Sequence, residues 1–201
     1  MGSLDLIGGP MFCGKTTEIL RNLFTDAEIG LKVVYINHSR DIRADGPFST
    51  HNPLYKKQLS TESKVTFLSA NKLEDVYPEI QNYDVIGVDE SQFFPDLCDQ
   101  VLLWVNSLNK KVVLAGLSGD YKRKKFGQFL DLIPQADSYV ALKSYCKVCA
   151  FPQNHSSRKK RKIVDALFTH RFVDSEDQIK IGGSETYSPV CRKCYNRLNS
   201  E

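Results

Sequence analysis

The 201-residue chain has no apolar run approaching the length of a membrane span and no basic-then-apolar leader at its N-terminus. It also has no internal repeat and no low-complexity tract. Its charge is nearly balanced: 27 Lys and Arg against 24 Asp and Glu leave +3, too little to argue for a polyanion. These absences point to a cytoplasmic globular protein with no membrane and no nucleic-acid partner. The length suits one medium domain, or one domain with a small appendage. Six cysteines without a secretion leader argue against a disulfide framework. Four form two pairs, Cys146/Cys149 and Cys191/Cys194, while Cys13 and Cys98 stand alone.

The densest signal lies near the start. Gly9, Pro10, Met11, Phe12, Cys13, Gly14, Lys15 and Thr16 fit the phosphate-binding pattern of a glycine, four variable residues, then Gly-Lys-Ser/Thr. Glycines let successive N–H groups turn inward to a phosphate, the lysine reaches the outer phosphates, and the threonine hydroxyl ligates Mg²⁺. An apolar run over residues 4–8 reads as a buried strand, and residues 17–29 have helical periodicity. The loop therefore opens a helix N-terminus, which favours an anion. That order of strand, loop and helix favours a P-loop over a chance glycine turn.

Buried strands are expected at residues 32–37, 64–68, 84–88 and 111–117, with a further strand over 138–145. Short helices are expected at 70–76 and 126–133. An amphipathic helix is expected at 95–108, with Leu97, Val101, Trp104, Val105 and Leu108 on one face. Strands alternating with helices imply an α/β fold, a P-loop NTPase-type parallel sheet flanked by helices. Residues 38–53, with two prolines and Gly46, read as a long mobile loop. Composition changes near Ser144, so the expected division is an ATP-binding domain over 1–143 and a small zinc-binding domain over 144–201.

Asp89-Glu90 ends an apolar strand. In P-loop proteins an acid at the tip of a neighbouring strand holds the nucleotide's Mg²⁺, a role that suits Asp89. Glu90 points elsewhere and suits a general base, and burial between apolar neighbours would raise its pKa toward neutrality. Alone the pair reads equally well as two solvated acids; beside a P-loop the functional reading is preferred. Two residues between cysteines let both thiolates reach one ion, and two such knuckles complete a tetrahedral site. Structural Zn²⁺ is the preferred reading, with two redox dithiols or four unrelated buried cysteines as alternatives. The basic run over residues 158–162 reads as a solvated stretch ahead of an import signal or phosphate patch. Cys13 reads as a small loop-filling side chain.

Taken together, GGPMFCGKTT (8–17), SRDIRADGPFSTH (39–51), DESQFFPDL (89–97), KRKKFGQFL (122–130) and IGGSETYSPVCRKC (181–194) resemble the type II, cytosolic-type thymidine kinases. The motifs stand in the family's order and cover the chain almost end to end. The resemblance implies transfer of the γ-phosphoryl group of ATP to the 5′-hydroxyl of thymidine, with deoxyuridine as a second acceptor. It places Gly9 to Thr16, with Thr17, Asp41, Arg43, Asp89 and Gln92, around Mg-ATP. Glu90, Arg43 and Lys15 form the catalytic set. Met11, Phe93, Leu117, Tyr121 and Phe126 line the base pocket. Gln178, Ile179, Lys180, Ile181 and Gly182 form an extended "lasso" strand along the thymine edge, with Ser156 and Tyr187 close to the nucleoside. Cys146, Cys149, Cys191 and Cys194 hold structural Zn²⁺ at the two ends of the lasso. A homotetramer and feedback inhibition by thymidine triphosphate are implied as well.

The chain departs from the family pattern at three points. Ser91 stands where a glycine is usual after the catalytic acid, Ser118 replaces an aspartate, and Lys125 replaces a proline. A nucleic-acid-binding ATPase, using the zinc unit and the basic run, is the alternative from a different class.

Overall fold

A computed structural model describes residues 1–39, 64–151, 162–173, 177–180 and 182–200. Six strands form one sheet: β1 (Ser3–Gly9), β2 (Val33–His38), β3 (Val65–Ala70), β4 (Val85–Val88), β5 (Lys111–Leu117) and β6 (Ser138–Ala141). Their order is β3-β2-β4-β5-β1-β6, and every pairing is parallel. Parallel neighbours need crossovers, and these cover both faces, so the strands are apolar on both sides.

Alternation along each strand divides the core. Ile7, Tyr35, Val85, Val113 and Ala115 pack with Ile19, Leu20 and Leu23 of helix α1 (Lys15–Glu28). Leu6, Ile36, Ile86, Val88 and Leu114 face the other way, onto Phe94, Leu97, Val101, Trp104 and Phe129. Because all six strands run in one direction, their carboxyl ends share one edge. The P-loop follows β1 there, Asp89-Glu90 follows β4, and Leu117 ends β5.

Several elements differ from the sequence expectation. Residues 70–76 do not make one helix; a 3₁₀ turn (Leu73–Val76) runs into the single α-turn α2 (Tyr77–Ile80). The carboxylate of Asp96 holds that turn by accepting the N–H groups of Leu73 and Glu74. The amphipathic helix is α3 (Leu97–Leu102), continuing as a π segment (Leu103–Ser107); its apolar face is buried as expected except that Leu108 is only half-buried. Residues 126–133 become a 3₁₀ helix (Phe129–Gln135), with Pro134 inside it. The single strand expected over 138–145 is two. β6 joins the large sheet, and β7 (Ser144–Tyr145) pairs antiparallel with β8 (Asp165–Ala166) in a separate ribbon. The loop expected at 38–53 falls mostly outside the described residues.

Beyond β7 come the short helix α4 (Lys147–Ala150), the hairpin of β9 (Phe168–Arg171) with β10 (Tyr187–Val190), and helix α5 (Arg192–Leu198). Cys146, Ala166, Val190, Cys191, Cys194 and Tyr195 form their own small core. No helix among the described residues is long and apolar enough to cross a membrane.

Candidate active site

The loop between β1 and α1 folds as its glycines require. Gly14 caps α1 at φ 90°, a left-handed value natural only to glycine, and Phe12 also has positive φ, 62°. Lys15 is buried, and its ammonium donates to the Pro10 carbonyl at 2.8 Å across the loop. Cys13 packs so closely on Gly9 that a Cβ there would stand 2.5 Å from its sulfur. Burial outweighs the nearby Lys15 charge and pushes the Cys13 thiol up, as suits a filler and not a nucleophile. The loop is braced from the C-terminal half: Thr169 Oγ1 accepts the Met11 N–H at 3.0 Å, and the Ser144 hydroxyl donates to Phe12 O at 3.0 Å.

Asp89 is almost completely buried. Its Oδ2 accepts the Tyr35 hydroxyl at 2.8 Å, its Oδ1 accepts the Glu90 N–H at 2.8 Å, and the Thr16 side chain hydrogen-bonds it. Burial, with the Glu90 charge adding, pushes this carboxyl up from 3.8 to about 6 against those hydrogen bonds. Burial was expected to fall on Glu90; it falls on Asp89, because Glu90 turns out of the sheet and is only half-buried.

A stability prediction follows from that shift. The folded pKa lies above the ordinary 3.8, so the ionised Asp89 opposes folding, increasingly as pH rises from 3.8 to about 6 and fully above it. Asp89→Asn keeps an oxygen for the Glu90 N–H, and its amide can donate to the rotatable Tyr35 hydroxyl. Without metal this variant should gain on the order of 1–3 kcal/mol over the parent above about pH 6, shrinking to nothing near pH 4. Thermal unfolding of both proteins across that range tests it; a gap independent of pH would count against the assignment.

Glu90 itself sits at φ 47°, costly for a residue with a side chain. The next two residues hold it there. The Ser91 hydroxyl, fully buried, donates to Ala115 O of β5 at 2.8 Å. The Gln92 amide donates to Glu90 Oε2 at 2.6 Å, while its oxygen accepts the Leu117 N–H at 3.1 Å. The serine that departs from the family pattern thus fastens the turn to the sheet. It requires glycine opposite, since a Cβ on Gly116 would meet Ser91 Oγ at 2.6 Å and the Phe129 ring at 2.7 Å.

Glu90 borders a cavity that is partly open to solvent. Met11, Phe93, Leu117, Tyr121, Phe126, Gln178, Ile179, Lys180, Gly182 and Tyr187, all expected there from sequence, line it together. Gln92, grouped with the Mg-ATP residues by resemblance, also lines this cavity. Phe93 meets Phe126 edge-on at 5.3 Å, which gives the cavity an aromatic wall. Of the extended strand expected over 178–182, the described residues 178–180 and 182 belong to none of the three sheets. Thr17 lies in the first turn of α1, half-buried. Asp41, Arg43, Ser156 and Ile181 lie outside the described residues.

Cys146, Cys149, Cys191 and Cys194 place their four sulfurs within 4.8 Å of one another. Cys149 Sγ is 3.9 Å from Cys191 Sγ and 3.6 Å from Cys194 Sγ, far beyond a disulfide bond. Sulfurs about 2.3 Å from a central ion in a tetrahedron stand roughly 3.8 Å apart, so the set fits one ion. Burial raises the Cys149 and Cys194 thiols; at Cys191 burial is outweighed by hydrogen bonds from the Cys194 N–H and neighbouring sulfurs, and its pKa falls.

Nearly the whole chain is matched by a family model. The one described as "Thymidine kinase" aligns with residues 2–195. This chain belongs to the thymidine kinase family. It is therefore an enzyme, a phosphotransferase. "Thymidine kinase 1" of Dictyostelium discoideum is 36% identical over 202 residues, covering 100% of this chain and 80% of its own length. The human "Thymidine kinase, cytosolic" is 34% identical over 194 residues, covering 96% and 73%. The vaccinia virus (strain Copenhagen) "Thymidine kinase" is 34% identical, covering 96% and 97%. In fold alone the chain is similar to the flagellar accessory protein FlaH of Methanocaldococcus jannaschii, with TM-score 0.50 and 14% identity over 71% of each chain.

Sequence reasoning missed four polar residues of this thymidine kinase family site. Tyr35 read as a strand residue and Thr169 carried no signal; their hydroxyls meet Asp89 and Met11 through the fold. Ser91 showed only as a departure. Asp120 carried no signal beyond its place in a polar loop, yet it is buried beside the cavity.

Proposed function

We propose that this chain transfers the γ-phosphoryl group of ATP to the 5′-hydroxyl of thymidine. One observation carries the reading: at the end of β4, Asp89 hydrogen-bonds Thr16 of the phosphate loop while Glu90, the next residue, borders the aromatic cavity. A two-residue step thus joins a donor half-site to an acceptor half-site, as phosphoryl transfer requires. Lys15 and the loop N–H groups hold the phosphates. Thr16 and Asp89 are the side chains that would hold Mg²⁺, which would supply charge stabilisation to the phosphates. Glu90 accepts the 5′-hydroxyl proton, and Arg43, with Asp41 near it, is assigned to the transferring group. The lining residues 178–180 and 182, with Ile181, Ser156 and Tyr187, hold the nucleoside against Met11 and the aromatic wall.

The four-cysteine centre is assigned to zinc, which neutralises the thiolates and ties α4 to α5. All four positions are protein sulfurs, which leaves no open coordination site and favours a structural role. The division at 143/144 is retained in the proposal, with the small unit closing over the nucleoside. A cytoplasmic homotetramer, inhibited by thymidine triphosphate, completes the reading; β6 supports self-association as an edge strand with Tyr139 and Val140 exposed.

The test is a nucleoside panel with Mg-ATP, following monophosphate formation. Thymidine should be the best acceptor, with deoxyuridine accepted and purine nucleosides rejected. ATP hydrolysis stimulated by DNA or RNA and indifferent to nucleosides would replace this reading with the nucleic-acid-dependent ATPase.

A further inference from the structure

The loop after β5 closes on itself around Asp120. The Asp120 N–H donates to Lys124 O at 2.9 Å, and its Oδ1 accepts the N–H groups of Lys122 and Lys124, both at 2.8 Å. Those bonds use one carboxylate oxygen. The other, Oδ2, accepts Nε2 of Gln178 at 2.8 Å, across 58 positions of sequence. The same Nε2 donates to Lys125 O at 3.1 Å. Both partners are acceptors, so the Gln178 amide must present its nitrogen to the loop. Asp120 is 7% exposed and Gln178 is exposed, so the bond ties a buried carboxyl group to a side chain at the protein surface.

Other contacts fasten the same two segments. The Arg171 guanidinium stacks on Tyr121 at 3.6 Å and donates to Asp177 O at 2.6 Å. The Tyr195 hydroxyl, beside Cys194, donates to Tyr121 O at 2.6 Å, and that of Tyr187 donates to Lys180 O at 2.7 Å. Asp120, Tyr121, Gln178, Ile179 and Lys180 all border the cavity. Among these ties, the Asp120–Gln178 bond joins the two cavity walls directly, side chain to side chain.

We propose that the Asp120 carboxylate latches residues 177–180 against the cavity before nucleoside arrives, and thereby sets nucleoside affinity and not turnover. The inference rests on the nucleoside role of this cavity. Physically, a segment ordered during folding does not have to be ordered during binding, so affinity rises without any new contact to the ligand. Asp120 is a positioning residue: it acts through Gln178.

Two single variants break the latch from opposite sides. In Asp120→Asn the remaining oxygen still accepts the two loop N–H groups, but the new amide nitrogen faces Gln178 Nε2, donor against donor. Gln178→Glu leaves the loop untouched and sets a carboxylate against Asp120 and Lys125 O. Asp120→Asn should raise the thymidine KM about tenfold, the scale of one hydrogen bond to a carboxylate, with kcat changed by less than about threefold; Gln178→Glu, at a residue that itself lines the cavity, is read by hydrogen exchange alone. Amide hydrogen exchange at residues 177–180 should quicken in both variants with no nucleoside present. In the double variant the introduced asparagine amide can donate to the introduced carboxylate, so part of the lost protection should return. A thymidine KM within about twofold of the parent in Asp120→Asn, or unaltered exchange at 177–180 in either single variant, would overturn the latch. A parent protein that does not phosphorylate thymidine would instead overturn the function, and the exchange measurement would still decide the latch.

Discussion

Glu90→Gln should lose about 10²- to 10⁴-fold in turnover while ATP binding survives. The substitution is close to isosteric, and a glutamine oxygen can still accept the Gln92 amide that now reaches Glu90 Oε2 at 2.6 Å. The turn keeps its two fastenings to β5, through Ser91 to Ala115 O and through Gln92 to the Leu117 N–H. What disappears is the capacity to take a proton. The loss should therefore fall on kcat, with thymidine KM little changed, because the cavity walls are unaltered. The phosphate loop is equally untouched, so calorimetric titration with ATP should give a near-parental Kd. Turnover within about threefold of the parent would remove Glu90 from the base role and leave phosphoryl transfer to positioning alone.

Cys149→Ser should abolish metal binding and unmake the small cysteine-bearing unit that begins at β7, without unfolding the large sheet. Cys149 is the least buried of the four cysteines, so its replacement leaves no large cavity; the principal loss is a sulfur ligand. The core it belongs to holds few buried side chains, too few to fold a unit of that size unaided. A structural zinc contributes on the order of 10–16 kcal/mol in small finger domains, more than such a core can replace. Release of α5 should free the Tyr195 hydroxyl from Tyr121 O and the Thr169 hydroxyl from the Met11 N–H. Soluble yield should drop, thymidine KM should rise, and the zinc content by elemental analysis should approach zero. The main sheet, whose core is separate, should keep its own cooperative unfolding transition. A metal-free variant that stays fully folded and active would end the structural-zinc assignment.

Much of the site was legible in the sequence because its chemistry is written in short spacings. Eight consecutive residues specify a phosphate loop, since the turn, the lysine and the helix N-terminus are all local. Two CxxC pairs specify a four-sulfur centre, and the sulfurs converge within 4.8 Å. The alternation of apolar strands and helices specifies a parallel sheet, and parallel pairing then brings every strand's carboxyl end to one edge. Where the reading went astray, local pattern and tertiary partner disagreed. The segment 138–145 carries no glycine or proline to mark a break, yet it leaves one sheet and enters another near Leu142. The acids at 89 and 90 are adjacent and equivalent in sequence; which one is buried depends on the positive φ at Glu90.

The sequence by itself determined most strands of the large sheet, the glycine-lysine loop after β1, the acidic tip of β4 and the two cysteine pairs, because each is encoded within a few residues. Only the tertiary structure decided the strand order, the fastening of Ser91 to Ala115 O and the bond of Asp120 to Gln178. Those partners lie 24 and 58 positions apart. No periodicity links them, and each bond exists only once the fold has brought its two distant segments together.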